Sequence, residues 1–355
     1  MNIRFIKKYF WLLLPCYLLA TCVSPVDLNV VSLPPTLTVS GLINNDGTCF
    51  VRLNRSTTYE PDLTLFHEPV LGALTFLHSS KGEQYPMFEY NEPGKYELSE
   101  FMGFTGEVGV EYWIRIEMED GKVYESRPEM INEVPTIGDV YYEIEDRLTK
   151  SLSGFDITIY GMQFFVKTED PTETKNQYRW SWNATRELNT VKPPPSLDPF
   201  DPPINCCFQC WIDYFPSEEV TIFSDERSNG KVIEKQPIVF FKYDSNMPKM
   251  ELTISQSSLT AEAYQYWKQV KSQQENTGSV FEPAPATILG NVYNVEDPDE
   301  VVFGWFGASA ITYKKVQLQN IYIEEDLPGQ SPEPMDCRTI QNSTDVRPED
   351  PFWGN

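Results

Sequence analysis

The stretch Val110-Glu111-Tyr112-Trp113-Ile114-Arg115-Ile116-Glu117-Met118-Glu119 decides the fold class. Val110, Tyr112, Ile114, Ile116 and Met118 share one parity, while Glu111, Arg115, Glu117 and Glu119 share the other. A period of two sends successive side chains to opposite faces, so this is an antiparallel strand with one buried and one wet face. Asp120-Gly121 then supplies a tight turn into Val123 to Ser126, which completes a hairpin. A second hairpin lies upstream, where Thr36 to Ile43 pass through Asn44-Asn45-Asp46-Gly47 into Thr48 to Leu53.

Working outward, Pro69-Val70-Leu71-Gly72-Ala73, Gly94-Lys95-Tyr96 and Gly109-Val110-Glu111-Tyr112 resemble the transthyretin-like or carboxypeptidase-regulatory-like pattern, and the spacing of short strands supports a sandwich in its own right. The expected fold is mainly β, with two β-sandwich-like domains. The N-terminal one, Ig-like or transthyretin-like, covers 36–131, and Asn132 to Gly138, with Pro135 inside, marks the boundary. A C-terminal β-rich domain follows over 138–323. Its strands are read at Tyr141 to Ile144, Phe155 to Tyr160, Gln177 to Trp182, Val220 to Phe223, Ile238 to Tyr243 and Glu251 to Ser255. One helix interrupts them near 260–276, with Thr260 as N-cap and Glu262 in its first turn. Tyr264, Trp267 and Val270 fall at helical spacing, which reads as core packing, with an aromatic ligand platform as the alternative. Residues 324–355 carry eight acids, two bases and five prolines and read as a mostly solvated acidic tail.

The amino terminus speaks to the compartment. Arg4, Lys7 and Lys8 precede a short apolar run from Tyr9 to Ala20, which is the pattern of a signal peptide over 1–21. Leu19-Ala20-Thr21-Cys22 resembles a bacterial lipobox, which makes Cys22 the lipidated first residue of the mature chain and 22–35 a tether. The mature part then carries 25 basic against 52 acidic residues. Such a surface disfavours nucleic acid, because neutralising phosphates requires a basic face. With His67 and His78 as the only histidines, histidine-based triads and multi-histidine metal sites are nearly excluded.

Five cysteines remain beyond the signal and the lipidation site: Cys49, Cys206, Cys207, Cys210 and Cys337. Export favours disulfides, so all five are disulfide candidates, with one thiol left over by parity. The alternatives are a zinc site, which the adjacent pair Cys206-Cys207 disfavours, and a redox motif, which lacks a βαβ setting. Asp297-Pro298-Asp299-Glu300 lacks the glycine and closing glutamate of a calcium loop and reads as a turn. No catalytic residue, metal ligand or cofactor is assigned. The run from Lys192 to Pro203 holds six prolines, none of which can donate to a ladder, so it is an extended surface loop. Leu197 and Phe200 offer apolar anchors there, with Asp198 and Asp201 for basic rim residues, and these four are the candidate partner-binding residues. The 48 aromatic residues read mainly as core, with a glycan platform as the alternative.

Ser258-Leu259-Thr260, Tyr264, Trp267, Gly278-Ser279-Val280-Phe281, Pro283, Pro285, Gly290-Asn291 and Val302-Phe303-Gly304-Trp305-Phe306-Gly307-Ala308-Ser309-Ala310 together resemble the Bacteroidota lipoproteins classed as domain of unknown function 4249. Tyr178-Arg179-Trp180 and Cys210-Trp211 fit as well. The resemblance implies an exported, outer-membrane-anchored lipoprotein, often encoded beside a TonB-dependent transporter, and defines no catalytic residues. The function expected is therefore a non-enzymatic accessory or ligand-capture partner of an outer-membrane β-barrel transporter or assembly, held in the membrane through its lipid anchor and placed at the cell surface. The alternatives are a stand-alone glycan- or peptide-binding surface module and, after it, a carboxylate-based hydrolase. Metabolic labelling with a fatty-acid analogue is expected to mark the wild-type chain, and equal labelling of Cys22→Ser would contradict the lipobox reading.

Overall fold

The computed structural model describes residues 35–57, 67–90, 92–151, 154–190, 207–216, 220–226, 229–242, 248–276, 287–319 and 336–354. The elements below lie in one compact unit made of Thr36–Ser56 and His67–Asn355. The protein is mainly β, with one α-helix among the described residues. Cys22, Leu197, Asp198, Phe200, Asp201 and Cys206 lie outside the described residues.

The first sheet is built on the two hairpins legible in the sequence. β1 (Leu37–Asn44) pairs antiparallel with β2 (Cys49–Ser56). The short strands β3 (His67–Pro69), β4 (Leu74–Ser79), β5 (Gln84–Glu89) and β6 (Lys95–Glu97) lead to β7 (Glu111–Glu117), β8 (Val123–Ser126) and β9 (Glu129–Met130). Gly47 and Gly121 both hold φ near +90° in the hairpin turns, at 95° and 87°, a conformation that glycine adopts without a Cβ clash. The alternation of β7 is realised, with Tyr112, Ile114 and Ile116 at most 1% exposed. Tyr112 keeps its hydroxyl bonded inside, accepting from the Glu107 amide at 3.0 Å.

The second half begins with β10 (Asp139–Lys150), β11 (Asp156–Glu169), β12 (Gln177–Asn189), β13 (Gln209–Tyr214), β14 (Thr221–Ser224), β15 (Val232–Lys242) and β16 (Lys249–Ser258). Helix α1 (Ala261–Asn276) follows, then β17 (Val292–Asn294), β18 (Phe306–Ser309), β19 (Ile311–Gln319) and β20 (Ser343–Thr344). A three-stranded sheet runs β10-β11-β15, and a six-stranded sheet runs β19-β16-β12-β13-β20 with β14 on β12. The two enclose a core of Met162, Phe164, Tyr178, Trp180, Phe241, Leu252 and Ile254.

The linear boundary expected at 132–138 does not separate two halves of the chain. β17 and β18, from the region assigned to the second domain, complete the first sheet, whose order is β17-β8-β7-β4-β5-β6-β2-β1-β18. β18 pairs with β1 in parallel, Gly41 beside Phe306 and Ile43 beside Ala308. The sheet curls around a single core shared by Val39, Val51, Leu77, Ile114, Tyr124 and Phe306. Burying a phenylalanine such as Phe306 completely contributes about 1.5–3 kcal/mol, which is why a strand so late in the chain belongs here. After Ser309 only Ala310 intervenes before β19 enters the six-stranded sheet. Ser258 fixes that joint: its amide donates to Ala310 O at 2.9 Å, and its Oγ accepts from Ala310 N at 2.9 Å. The linker itself is bonded on both sides, since Ser258 Oγ donates to Asn132 O and Gln256 Nε2 donates to Pro135 O.

The solvated tail expected over 324–355 is a second correction, because its described part, 336–354, is docked. Cys337 is disulfide-bonded to Cys210 across 127 residues, β20 pairs with β13, and Trp353 is buried. Lys249 Nζ donates to the carbonyls of Phe352 and Gly354 at 3.1 and 2.6 Å, which fixes the chain end. Acidic composition masked the two apolar anchors, Cys337 and Trp353. Cys49 is likewise not a disulfide partner: it is a free thiol on the inward face of β2 within the first core, and burial pushes its pKa up to about 12. Cys207 is also disulfide-bonded and packs with Leu188, Ile212 and the Cys210–Cys337 bridge.

Closing a loop this long constrains the unfolded chain, so Cys337→Ser is expected to lower stability by about 2–5 kcal/mol. Denaturant titration measures that loss, and non-reducing peptide mapping should recover Cys210 and Cys337 in one cross-linked species; an unchanged midpoint would contradict the docked tail.

Candidate ligand-binding site

The joint at Ala310 sets the two sheets against each other and leaves a cavity of about 480 Å³ between β1, β18, β12, β16 and α1. Its composition follows from strand parity. On β1, Val39 and Ile43 point into the first core, which leaves Thr38, Ser40, Leu42 and Asn44 to face the cavity. On β18 and the residue before it, Phe306 and Ala308 go inward while Trp305, Gly307 and Ser309 face the cavity. On β12, Tyr178 and Trp180 fill the second core, so Arg179 and Ser181 emerge on the opposite face. The antiparallel register then sets Arg179 beside Ser257 and Ser181 beside Ser255 of β16.

Helix α1 closes the space with Ala263, Tyr266 and Trp267, which share one face at helical spacing. The Arg179 guanidinium lies over the Trp267 ring, 3.8 Å from its centroid. Such a contact contributes about 0.5–2 kcal/mol depending on desolvation. Tyr266 stacks on Trp305 at 4.9 Å with 27° between the planes, and meets Trp267 edge-on at 5.3 Å. Burial lowers the Arg179 pKa to about 10, which still leaves it cationic at neutral pH. The lining thus consists of hydroxyls, one amide, four aromatic side chains (Phe50, Tyr266, Trp267 and Trp305), aliphatic groups and a guanidinium. Such a set can bind and orient a ligand.

Two glycines make the close approaches that bring Trp305 here. Gly304 has φ +95°, and a Cβ on it would sit 2.0 Å from Val39 O. A Cβ on Gly290 would fall 1.5 Å from Gly304 O. Next to it, the Asn291 side chain plays the part of a strand backbone: Nδ2 donates to Phe306 O at 2.7 Å and Oδ1 accepts from Phe306 N at 2.9 Å.

The sequence-predicted residues divide plainly. Trp267 is brought to the cavity, while Tyr264 and Val270 are partly buried and do not line it. The cysteines Cys49, Cys207, Cys210 and Cys337 lie elsewhere, in the first core and in a small separate cluster. Glu300 accepts from Tyr124 Oη and Lys122 Nζ, each at 3.0 Å, as part of a structural turn. Among the described residues, no group of three or more His, Cys, Asp or Glu is arranged to hold a metal ion. Sequence reasoning missed Arg179, Tyr266 and Trp305 as site residues. The signal for Arg179 was a cation set between core aromatics in Tyr178-Arg179-Trp180.

The helix that carries Tyr266 and Trp267 begins on a buried acid. Thr260 Oγ1 accepts from Ala263 N at 3.1 Å as the N-cap and donates to Glu129 Oε2 at 2.6 Å. Burial raises the Glu129 pKa from 4.5 to about 7, with Glu262 adding to the shift and Thr260 and Asn291 opposing it. The folded state therefore favours the protonated acid. Its contribution is fully present below about pH 4.5 and is lost as the pH rises through about 7. A shift of that size corresponds to about 3 kcal/mol at most. Glu129→Gln is expected to flatten the stability profile between pH 4.5 and 7 and to be more stable than wild type at pH 8; thermal melts across that range check it, and parallel profiles for the two proteins would contradict it.

Much of the cavity comes from the segments that carry the family resemblance: Tyr178-Arg179-Trp180, Ser258-Leu259-Thr260 with Trp267, and Gly304 to Ala310. No curated protein and no solved structure matches the chain. A protein-family model described as Domain of unknown function (DUF4249) matches residues 23–315. That span covers most of the sequence, and the chain belongs to this family.

Proposed function

We propose that the chain is a non-enzymatic capture lipoprotein of the outer membrane, anchored through Cys22 and displayed at the cell surface. In this reading, two sandwich-like β bodies hold one ligand cavity and deliver its contents to a TonB-dependent transporter or a similar β-barrel assembly. The observation that carries the proposal is the cavity itself: about 480 Å³, within the size range of sites for small organic ligands, with aromatic rings and a few convergent polar groups. Its hydroxyls, amide, rings and guanidinium bind and orient.

A surface feature supports the docking half of the reading. The β10–β11 hairpin overhangs its core: the parity that is buried at Phe164 and Met162 has become exposed at Ile144 and Leu148, and Phe155 at the turn is 73% exposed. An apolar overhang of this kind marks an interaction surface. The proline loop with Leu197, Asp198, Phe200 and Asp201 is proposed as a second docking element. A chain without a barrel partner would instead use the same cavity as a stand-alone glycan- or peptide-binding module.

Purification of the native, detergent-solubilised lipoprotein from its own membrane is expected to bring down a β-barrel outer-membrane protein, identified by mass spectrometry. The pair Leu148→Ser and Phe155→Ser should weaken that association without lowering the melting temperature. Recovery of the wild-type chain with no barrel overturns the accessory reading.

A further inference from the structure

The cavity contains two hydrogen-bond donors that the protein leaves unspent. Arg179 stacks the face of its guanidinium on Trp267, and among the described residues no side chain or carbonyl accepts from its N–H edge. Trp305 also lines the cavity, and its buried Nε1–H has no acceptor. A buried donor is normally bonded, so the Trp305 N–H, together with the unpaired guanidinium edge of half-buried Arg179 in the same cavity wall, defines a place for an acceptor that comes from outside. The chain holds 52 acids against 28 bases, and many of its other cations are paired: Arg52 with Glu92, Arg115 with Glu125, Lys122 with Glu300, Lys315 with Glu251. An arginine kept without an acid in so acidic a chain is set aside for an anion.

Resting on the capture reading, we propose that the cavity binds a small monocarboxylate bearing a flat apolar group, with the carboxylate on Arg179 and the flat group against Tyr266 and Trp305. One guanidinium balances one negative charge, so a monoanion leaves nothing uncompensated, whereas a doubly charged phosphate would keep an unpaired charge inside an acidic chain. The planar fork of an arginine matches a carboxylate with two parallel hydrogen bonds, and stacking occupies only its face. Ser257 stands next to Arg179 across the strand pair, and Ser181 and Ser255 form the neighbouring pair; these hydroxyls are placed to serve the second carboxylate oxygen or a polar substituent. The Tyr266–Trp305 stack gives an aromatic surface for the remainder.

The test uses the full mature chain in detergent and matched probes: phenylacetate, its neutral analogue phenylacetamide, and inorganic phosphate as competitor, followed by ligand-observed NMR. Phenylacetate is expected to bind at least tenfold more tightly than phenylacetamide. Arg179→Gln should bring the acid down to the level of the amide while still melting cooperatively as a folded chain, and Arg179→Lys should keep part of the difference. Equal binding of acid and amide overturns the proposal, as does unaltered phenylacetate binding by a folded Arg179→Gln, displacement of phenylacetate by phosphate at equal concentration, or no binding of phenylacetate at all. The acid–amide comparison is made on wild type, so it decides the matter even where a variant fails to fold. A barrel partner recovered alongside equal acid and amide binding leaves the capture reading in place and removes the carboxylate alone. Absence of both partner and probe binding removes both.

Discussion

Two hydrogen bonds between Ser258 and Ala310 hold the rest of the structure in register. Ala310 is the only residue between β18, which belongs to the first sheet, and β19, which belongs to the six-stranded sheet. Its amide and carbonyl cannot join either ladder fully, and a buried peptide group without a partner costs about 1–3 kcal/mol. Ser258 satisfies both of them and also donates to Asn132 O, tying the joint to the linker. The distance between the sheets therefore has little freedom, and the cavity is the space that this fixed joint leaves open.

The sequence made some of this legible and hid the rest for physical reasons. β7 and the two hairpins were readable because one face is wet and the other buried, which writes a period of two into the residues. β11 runs on through Met162, Gln163, Phe164, Phe165 and Val166, all buried, and such a run carries no period by which to place its ends. β18 was invisible as a member of the first sheet, because a parallel neighbour to β1 needs no turn signal and is separated from it by most of the chain. The helix was read correctly from Thr260 onward because its cap and its spacing are local features.

The cavity was hidden by the same parity that built it. Thr38, Ser40, Ser181, Ser255 and Ser257 are small and polar and alternate with core residues, so in sequence they look like an ordinary solvent face. Whether such a face meets water or another sheet is decided by tertiary packing. Arg179 is the exception, since a cation between Tyr178 and Trp180 is an unusual neighbour for two core aromatics. The electrostatic setting is also local: over a Debye length of about 8 Å at physiological salt the surrounding acids are screened, and what a bound group senses is the lining of the cavity.

The parallel pairing of β1 with β18 also determines when the molecule can finish folding. Ile311 N–H reaches Asn45 Oδ1 across 266 residues, and the first strand has its outer neighbour only after that much chain has been delivered. Contacts of such sequence separation slow folding, because the closure entropy falls due before the contact repays it. In the interval the edge of β1 stands open, and its unpaired backbone N–H and C=O groups present a template for pairing with a neighbouring chain until β18 covers them.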